Sequence, residues 1–224
     1  MSPRGEALRI GVLASGRGSN LQAIIDAIAR GTLPAQFAVV ISDREDARAL
    51  ERARTHGAPA VFVNPKDYRD HNAYDAALLR VIEQHRVELV CLAGFMRILG
   101  AGFVRALAGR VMNIHPSLLP AFPGLAAQRQ ALDHGVRISG ATVHFVDEGV
   151  DTGPIVVQDA VPVLPDDTEE TLSARILEVE HRLYPAAIRL FAEGRLQISG
   201  RRVEIRTQRV DSSTVGREGA PTAN

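Results

Sequence analysis

Lysine is almost missing from this 224-residue chain: Lys66 stands alone, and the remaining basic residues are arginines. Basic and acidic residues both number 26, so the formal net charge is zero and the pI is near 7.1. That balance excludes the basic excess of a nucleic-acid binder, and no polyanionic partner is expected. Cysteine is limited to Cys91, within the apolar run 87–93. A single buried thiol argues against disulfides and for a reducing compartment. No stretch approaches the roughly 18 apolar residues of a membrane span, and the start, Met1 to Ala7, lacks the apolar core of a signal peptide. A cytoplasmic protein is expected. No His/Cys/Asp/Glu cluster has zinc-ligand spacing, so no metal is expected either.

What is present is an alternation. Residues 8–14 read as a buried strand, 20–30 as a helix, 37–41 as a strand and 47–56 as a helix. Residues 59–63, 68–85 and 87–92 continue the pattern. Strands alternating with helices of this length predict an α/β fold, Rossmann-like, with a mostly parallel central sheet and helices on both faces. Ligands in such folds sit beyond the carboxyl ends of the strands. The second half differs: 137–146 and 154–163 read as longer strands around the 147–153 loop, followed by a long helix over 168–191. Pro185 is expected to kink that helix or end it early. Short strands at 196–198 and 202–205 close the chain around Gly200. One domain over 8–206 is expected, between a flexible N-terminus (1–7) and a solvated polar tail (207–224).

Three places carry chemistry. Ser15-Gly-Arg-Gly-Ser-Asn20 lies between the first strand and first helix, where backbone N–H groups and the helix dipole can hold a phosphate. It lacks the third spaced glycine of the dinucleotide fingerprint and the Gly-Lys-Ser/Thr end of the Walker A pattern. A helix N-cap at Ser19 or Asn20 is the plain alternative. Asn113 and His115 follow the run 108–112, read as a buried strand, and their i, i+2 spacing aims both side chains the same way. Asn113 can stabilise an oxyanion and His115 can act as general acid or base. Asp151 lies in the glycine-containing loop 147–153. If it reaches His115, its charge favours the imidazolium while burial opposes it, and with solvent admitted the carboxylate is expected to prevail. His144 is either a further polar group of the site or a satisfied core histidine. Residues 93–99 follow the 87–92 strand and suit a flat heterocycle pocket, or else a loop with Phe95 and Ile98 tucked into the core.

Taken together, Ser15-Gly-Arg-Gly-Ser-Asn-Leu-Gln22, Leu92-Ala-Gly-Phe-Met-Arg-Ile-Leu99, Asn113-Ile-His-Pro-Ser-Leu-Leu-Pro120 and Asp151 before Gly153-Pro154 resemble the phosphoribosylglycinamide formyltransferases, folate-dependent enzymes of purine synthesis. The resemblance covers about residues 9–198. It implies that Gly18, Ser19 and Asn20 hold the ribonucleotide phosphate and that Glu180 contacts the ribose. It places 10-formyltetrahydrofolate, the co-substrate, against Met96, Arg97, Ile98, Leu99, Asn113, Asp147 and Val150. Asn113, His115 and Asp151 match the catalytic trio. His71 stands where relatives commonly carry a folate-contacting arginine, a contact that Arg69 could supply instead; Ala126 and Gln128 stand where bacterial relatives often carry histidines. A formyltetrahydrofolate hydrolase or a non-catalytic folate- or nucleotide-binding protein is the alternative. The partners implied are small molecules; a homodimer is compatible with the sequence, which shows no apolar stripe arguing for one.

Overall fold

A computed structural model describes residues 6–207. Of the flexible N-terminus (1–7) and polar tail (207–224) expected, residues 1–5 and 208–224 lie outside the described residues. The elements are β1 (Leu8–Leu13), α1 (Ser19–Ala29), β2 (Ala35–Ser42), α2 (Arg48–Thr55), β3 (Ala60–Phe62), a 3₁₀ turn (Pro65–Asp67), α3 (His71–Gln84), β4 (Leu89–Leu92) and α4 (Ala101–Ala106). They continue with β5 (Val111–His115), α5 (Ala127–Asp133), β6 (Ile138–Phe145), β7 (Ile155–Pro162), α6 (Glu169–Ala192), β8 (Leu196–Ser199) and β9 (Arg202–Ile205).

A nine-stranded sheet runs β3-β2-β1-β4-β5-β6-β7-β9-β8. Strands β3, β2, β1, β4 and β5 are parallel, whereas β6 is antiparallel to both β5 and β7. Between β6 and β7 the reversal has a local cause: the connecting segment is too short to carry a crossover helix, so it must turn the chain back. Of the parallel strands, β1, β2, β4 and β5 are largely buried on both faces, as crossover helices require, while the edge strand β3 is half-buried. On one face Ile10, Val12 and Val40 pack with Leu21, Ile24 and Leu50 of α1 and α2 and with Tyr184 and Ile188 of α6. On the other, Leu13, Val39 and Ile41 meet Leu78 and Ile82 of α3 and Phe103 of α4. The alternation along β1 and β2 is the period of two expected of a strand. Cys91 is fully buried, and burial pushes its thiol up to about 12.

Two expectations need correction. Residues 108–110 precede β5 as a turn, with Arg110 N–H donating to the Leu107 carbonyl, so Asn113 and His115 lie within the strand and not after it. Pro185 does not end α6, which continues to Ala192. A proline deletes one helical hydrogen bond, but Tyr184, Ala187 and Ile188 around it are fully buried, and that packing outweighs the loss, so the helix does not stop there. The Tyr184 hydroxyl lies 3.0 Å from the Leu92 carbonyl and 2.9 Å from that of Met112, sharing its proton between the ends of β4 and β5. Tyr184→Phe is expected to cost about 1–3 kcal/mol, the penalty for stripping a partner from buried carbonyls. Urea unfolding measures it, and a loss below about 0.5 kcal/mol, the range of an ordinary surface change, would show that the carbonyls are satisfied without the hydroxyl.

Candidate active site

In strand order the direction of chain growth reverses between β1 and β4, and crevices at such points receive ligands in open α/β sheets. The loop after β1, residues 14–18, and the loop after β4, residues 93–100, meet there. Ser15 N–H donates to the Gly94 carbonyl at 3.0 Å, and Met96 N–H donates to Ser15 Oγ at 2.9 Å. The two segments therefore share a buried serine.

The cap of α1 is Gly18, in the left-handed conformation (φ 70°), with no side-chain hydrogen bond to the first turn. Neither Ser19 nor Asn20 is the N-cap; both belong to the helix, so their N–H groups are among the donors that a helix start leaves without an internal partner. A Cβ at Gly18 would lie 3.0 Å from Ala49 Cα, so glycine meets both the positive φ and the close approach of α2. Asn20 is buried and its Nδ2 donates to Glu180 Oε2 at 2.7 Å, joining the turn to the middle of α6. Asn20 Oδ1 is buried without a partner. Burial raises the Glu180 carboxyl above its ordinary pKa despite the Asn20 bond.

One strand further on, Asp151 gathers the other polar groups. Its Oδ2 accepts the Gly124 N–H at 2.8 Å and lies 3.3 Å from His115 Nδ1; its Oδ1 lies 3.3 Å from Asn113 Nδ2 and 3.5 Å from His144 Nε2. Asp151 adopts a positive φ of 54°, which turns the loop back over the sheet end. His144, on β6 opposite Asn113, faces the Phe145 carbonyl with Nδ1 at 2.9 Å and Asn113 Nδ2 with Nε2 at 3.2 Å. His144 thus belongs to the polar cluster.

His115 is in conflict with its surroundings. Nε2 lies 2.8 Å from the Phe122 carbonyl and Nδ1 faces the Asp151 carboxylate, so only the imidazolium satisfies both contacts. Yet the His115 side chain is 6% exposed and that of Asp151 13%. Burial lowers the His115 pKa more than the Phe122 carbonyl and the Asp151 charge raise it, and the group ends below its ordinary value. The carboxylate was expected to prevail only with solvent partly admitted, and the pair admits little. For Asp151, burial works to raise the pKa, but His144, the Gly124 amide and the charge of His115 together hold it below the ordinary range.

Apart from Asn113, the residues assigned to the folate by resemblance lie on the loops that follow β4 and β6. Met96 is 66% and Ile98 72% exposed, while Phe95 and Leu99 pack against the core, so the loop reading with Ile98 tucked inward does not hold. Arg97 lies over the Tyr74 ring at 5.2 Å. Asp147 Oδ1 accepts from Gly149 N–H and Thr152 Oγ, stiffening the loop that carries Val150, which is half exposed. Arg105 on α4 pairs with Glu148 of the same loop at 3.0 Å on the surface. His71 faces Asp75 at 3.3 Å, and Arg69 is paired with Asp70 at 3.1 Å. Ala126 caps α5 at φ 55°, and Gln128 lies in its first turn. The Gly124 amide and Phe122 carbonyl were not legible as site groups, because backbone atoms leave no mark in residue identity. Among the described residues no group of three or more His, Cys, Asp or Glu could hold a metal ion.

The formyl transferase family model matches residues 8–188, and the chain belongs to that family. A phosphoribosylglycinamide formyltransferase of Escherichia coli is 45% identical over 191 residues, covering 85% of this chain and 90% of the relative. The trifunctional purine biosynthetic protein adenosine-3 of Drosophila pseudoobscura pseudoobscura is 54% identical over 192 residues, 84% of this chain; the match spans 14% of that longer relative. A crystal structure of glycinamide ribonucleotide transformylase 1 from Symbiobacterium toebii superimposes with a TM-score of 0.89 at 59% identity, covering 91% of this chain and 96% of that one.

Proposed function

We propose that the chain transfers the formyl group of 10-formyltetrahydrofolate to the amine of glycinamide ribonucleotide, the phosphoribosylglycinamide formyltransferase reaction of purine synthesis, in the cytoplasm. The observation that carries this reading is the convergence of Asn113, His115 and Asp151 beside two loops that meet at the β1/β4 crevice. Free helix-start amides at Ser19 and Asn20 suit a phosphate. Glu180 suits the ribose hydroxyls as an acceptor already held by Asn20. Met96, Ile98 and Val150 offer the exposed apolar surface that a flat pterin requires, with Arg97, Leu99 and Asp147 along the same rim.

Within this reading, 10-formyltetrahydrofolate supplies the formyl carbon that the amine attacks. Asn113 Nδ2 stabilises the negative charge developing on the formyl oxygen, exchanging its 3.3 Å bond to Asp151 for a shorter one. Long hydrogen bonds that tighten only with substrate are usual in ligand-free sites. His115 takes up the amine proton on Nδ1, where Asp151 stabilises the imidazolium that results, and the proton passes to N10 as the formyl C–N10 bond breaks and tetrahydrofolate leaves. Positioned proton transfer contributes about 10²–10⁴ in rate and one oxyanion donor roughly 10²–10³. Holding amine and formyl group together supplies much of the remainder.

The test is an absorbance assay for folate release from a stable 10-formyl folate analogue, with and without glycinamide ribonucleotide. Release that requires the ribonucleotide supports the transferase. Release without it supports hydrolysis, a reading kept in view by a formyltetrahydrofolate deformylase of Pseudomonas syringae, 30% identical with a TM-score of 0.84 over 91% of this chain. Binding without release supports a non-catalytic protein.

Glu180→Gln separates binding from stability. Loss of the charged acceptor is expected to raise the ribonucleotide KM about tenfold or more, since hydrogen bonds to a charged group contribute roughly 1.5–3 kcal/mol. Because the folded-state pKa of Glu180 is raised by burial, its contribution to stability is present below the unfolded value and is lost as pH rises through the folded one. The melting temperature of the variant should therefore gain on the parent as pH rises. A gap between the two that does not change with pH would show that the carboxyl titrates normally.

A further inference from the structure

Behind the glycine turn stands a basic side chain that the reading so far leaves without a role. Arg52, on α2, donates from Nε to the Arg17 carbonyl at 3.0 Å and from Nη1 to Gln22 Oε1 at 2.6 Å. Gln22 is held in turn, its Nε2 donating to Asp26 Oδ1 at 2.8 Å. Helix α2 also grips the turn through its backbone, with Ala49 N–H donating to the Gly16 carbonyl at 3.2 Å. On the far side, Gly18 O accepts the Gln22 N–H at 2.9 Å. The carbonyls of residues 16, 17 and 18 are thus each taken up by α2 or α1.

This matters because a peptide turn has two polar edges. If a carbonyl rotates toward an anion, it repels it and removes an amide from its reach; a turn that binds phosphate needs its oxygens drawn to the opposite side. Arg52 does this at Arg17, the residue immediately before the left-handed Gly18. Its second hydrogen bond, to Gln22, ties the same guanidinium to the first turn of α1, so turn and helix start are fixed relative to each other. A planar fork spans two acceptors on different elements; an ammonium, a point charge on a flexible stem, does not. Arg52 also lines a cavity of about 460 Å³ together with Ser19, Gln22, Asp26, Arg30 and His181, which opens beside the start of α1.

We propose that Arg52 is the positioning residue of the phosphate loop, clamping the Arg17 carbonyl and Gln22 so that the turn presents its amides in one geometry to the ribonucleotide phosphate. The proposal rests on the ribonucleotide reading of this loop and adds to it a side chain that touches neither the folate segment nor the Asn113, His115 and Asp151 cluster. The plain alternative is a solvated surface arginine whose contacts contribute nothing measurable.

The experiment compares Arg52→Gln and Arg52→Lys with the parent, each verified as folded by its melting temperature. Both variants are expected to raise the ribonucleotide KM about tenfold, the scale of one lost charge-assisted hydrogen bond, while kcat and the KM for the formyl donor change less than about twofold. Amide hydrogen exchange at residues 16–20, with inorganic phosphate as the probe, supplies a readout independent of turnover. Phosphate should protect the Ser19 and Asn20 amides in the parent and protect them clearly less in both variants. A ribonucleotide KM equal to the parent's in both variants overturns the clamp. So does full rescue by lysine, which would assign the effect to charge alone. If the parent itself shows no ribonucleotide-dependent turnover, the functional reading fails; equal phosphate protection in parent and variants would then overturn the clamp separately.

Discussion

Asp151→Asn is expected to lower kcat by about 10²–10⁴, the usual contribution of positioned proton transfer, while the ribonucleotide KM changes by less than about threefold, because its binding groups are untouched. Asp151 is the one group in contact with His115, Asn113, His144 and the Gly124 amide together. The amide that replaces it keeps the shape and can still accept from Gly124, so the loop should stay closed. What it loses is charge. An imidazolium at His115 would then be buried with no anion beside it, in a place where burial already holds the ring neutral. The comparison needs only steady-state rates of parent and variant at saturating formyl donor. A kcat within about threefold of the parent, a scale at which transition-state stabilisation has barely changed, would remove Asp151 from the proton-transfer step.

Gly153→Ala should be strongly damaging for a single added methyl group. A Cβ there would lie 1.8 Å from the Phe145 carbonyl oxygen, 2.9 Å from its carbon and 3.2 Å from Asp147 N. All three are backbone atoms, so no side chain can swing aside. Those atoms belong to the closure of the β6/β7 hairpin, where Phe145 N–H donates to the Pro154 carbonyl and Val146 N–H to that of Val111. Relief requires the hairpin to open, and Asp151, two residues before, moves with it. A destabilisation of about 2–4 kcal/mol is expected, at or above the upper range for overpacking. It should be accompanied by a fall in kcat of at least about tenfold at temperatures where the variant is folded, as misplaced catalytic groups produce. Denaturant midpoints and rates on the same preparation measure both. A variant with the parent's midpoint and rate would mean that the 147–153 loop has a second way of closing.

The parallel half of the sheet was legible because its strands are apolar runs bounded by helices of eight or more residues, and β1 to β4 fall within a few residues of the expected limits. Helices α4 (Ala101–Ala106) and α5 (Ala127–Asp133) were not read at all. Each is under two full turns and lies among glycines and prolines, where no periodic pattern can build up. The continuation of α6 through Pro185 was missed for the opposite reason: the local rule is sound, but it was outweighed by packing against Tyr184 and Ile188 that only the folded chain supplies. At the site, the meeting of Asn113, His115 and Asp151 followed from their positions at strand ends and in a glycine-bearing loop. The charge balance of His115 did not, because it depends on how little water reaches the pair, and exposure is set by the 118–126 loop and not by the residues themselves.

The bond from Met96 N–H to Ser15 Oγ has a consequence for how freely this molecule can be altered. On the 93–100 side it uses only main chain, and the side chains of Met96 and Ile98 point away into solvent. Those two positions can be rewritten in size and polarity without loosening the joint between the halves of the crevice, whereas the hydroxyl at Ser15 has no such freedom. On the proposed function, variation in preference for one substrate is therefore mechanically insulated from the grip on the other, and a single small side chain on the first loop carries that insulation.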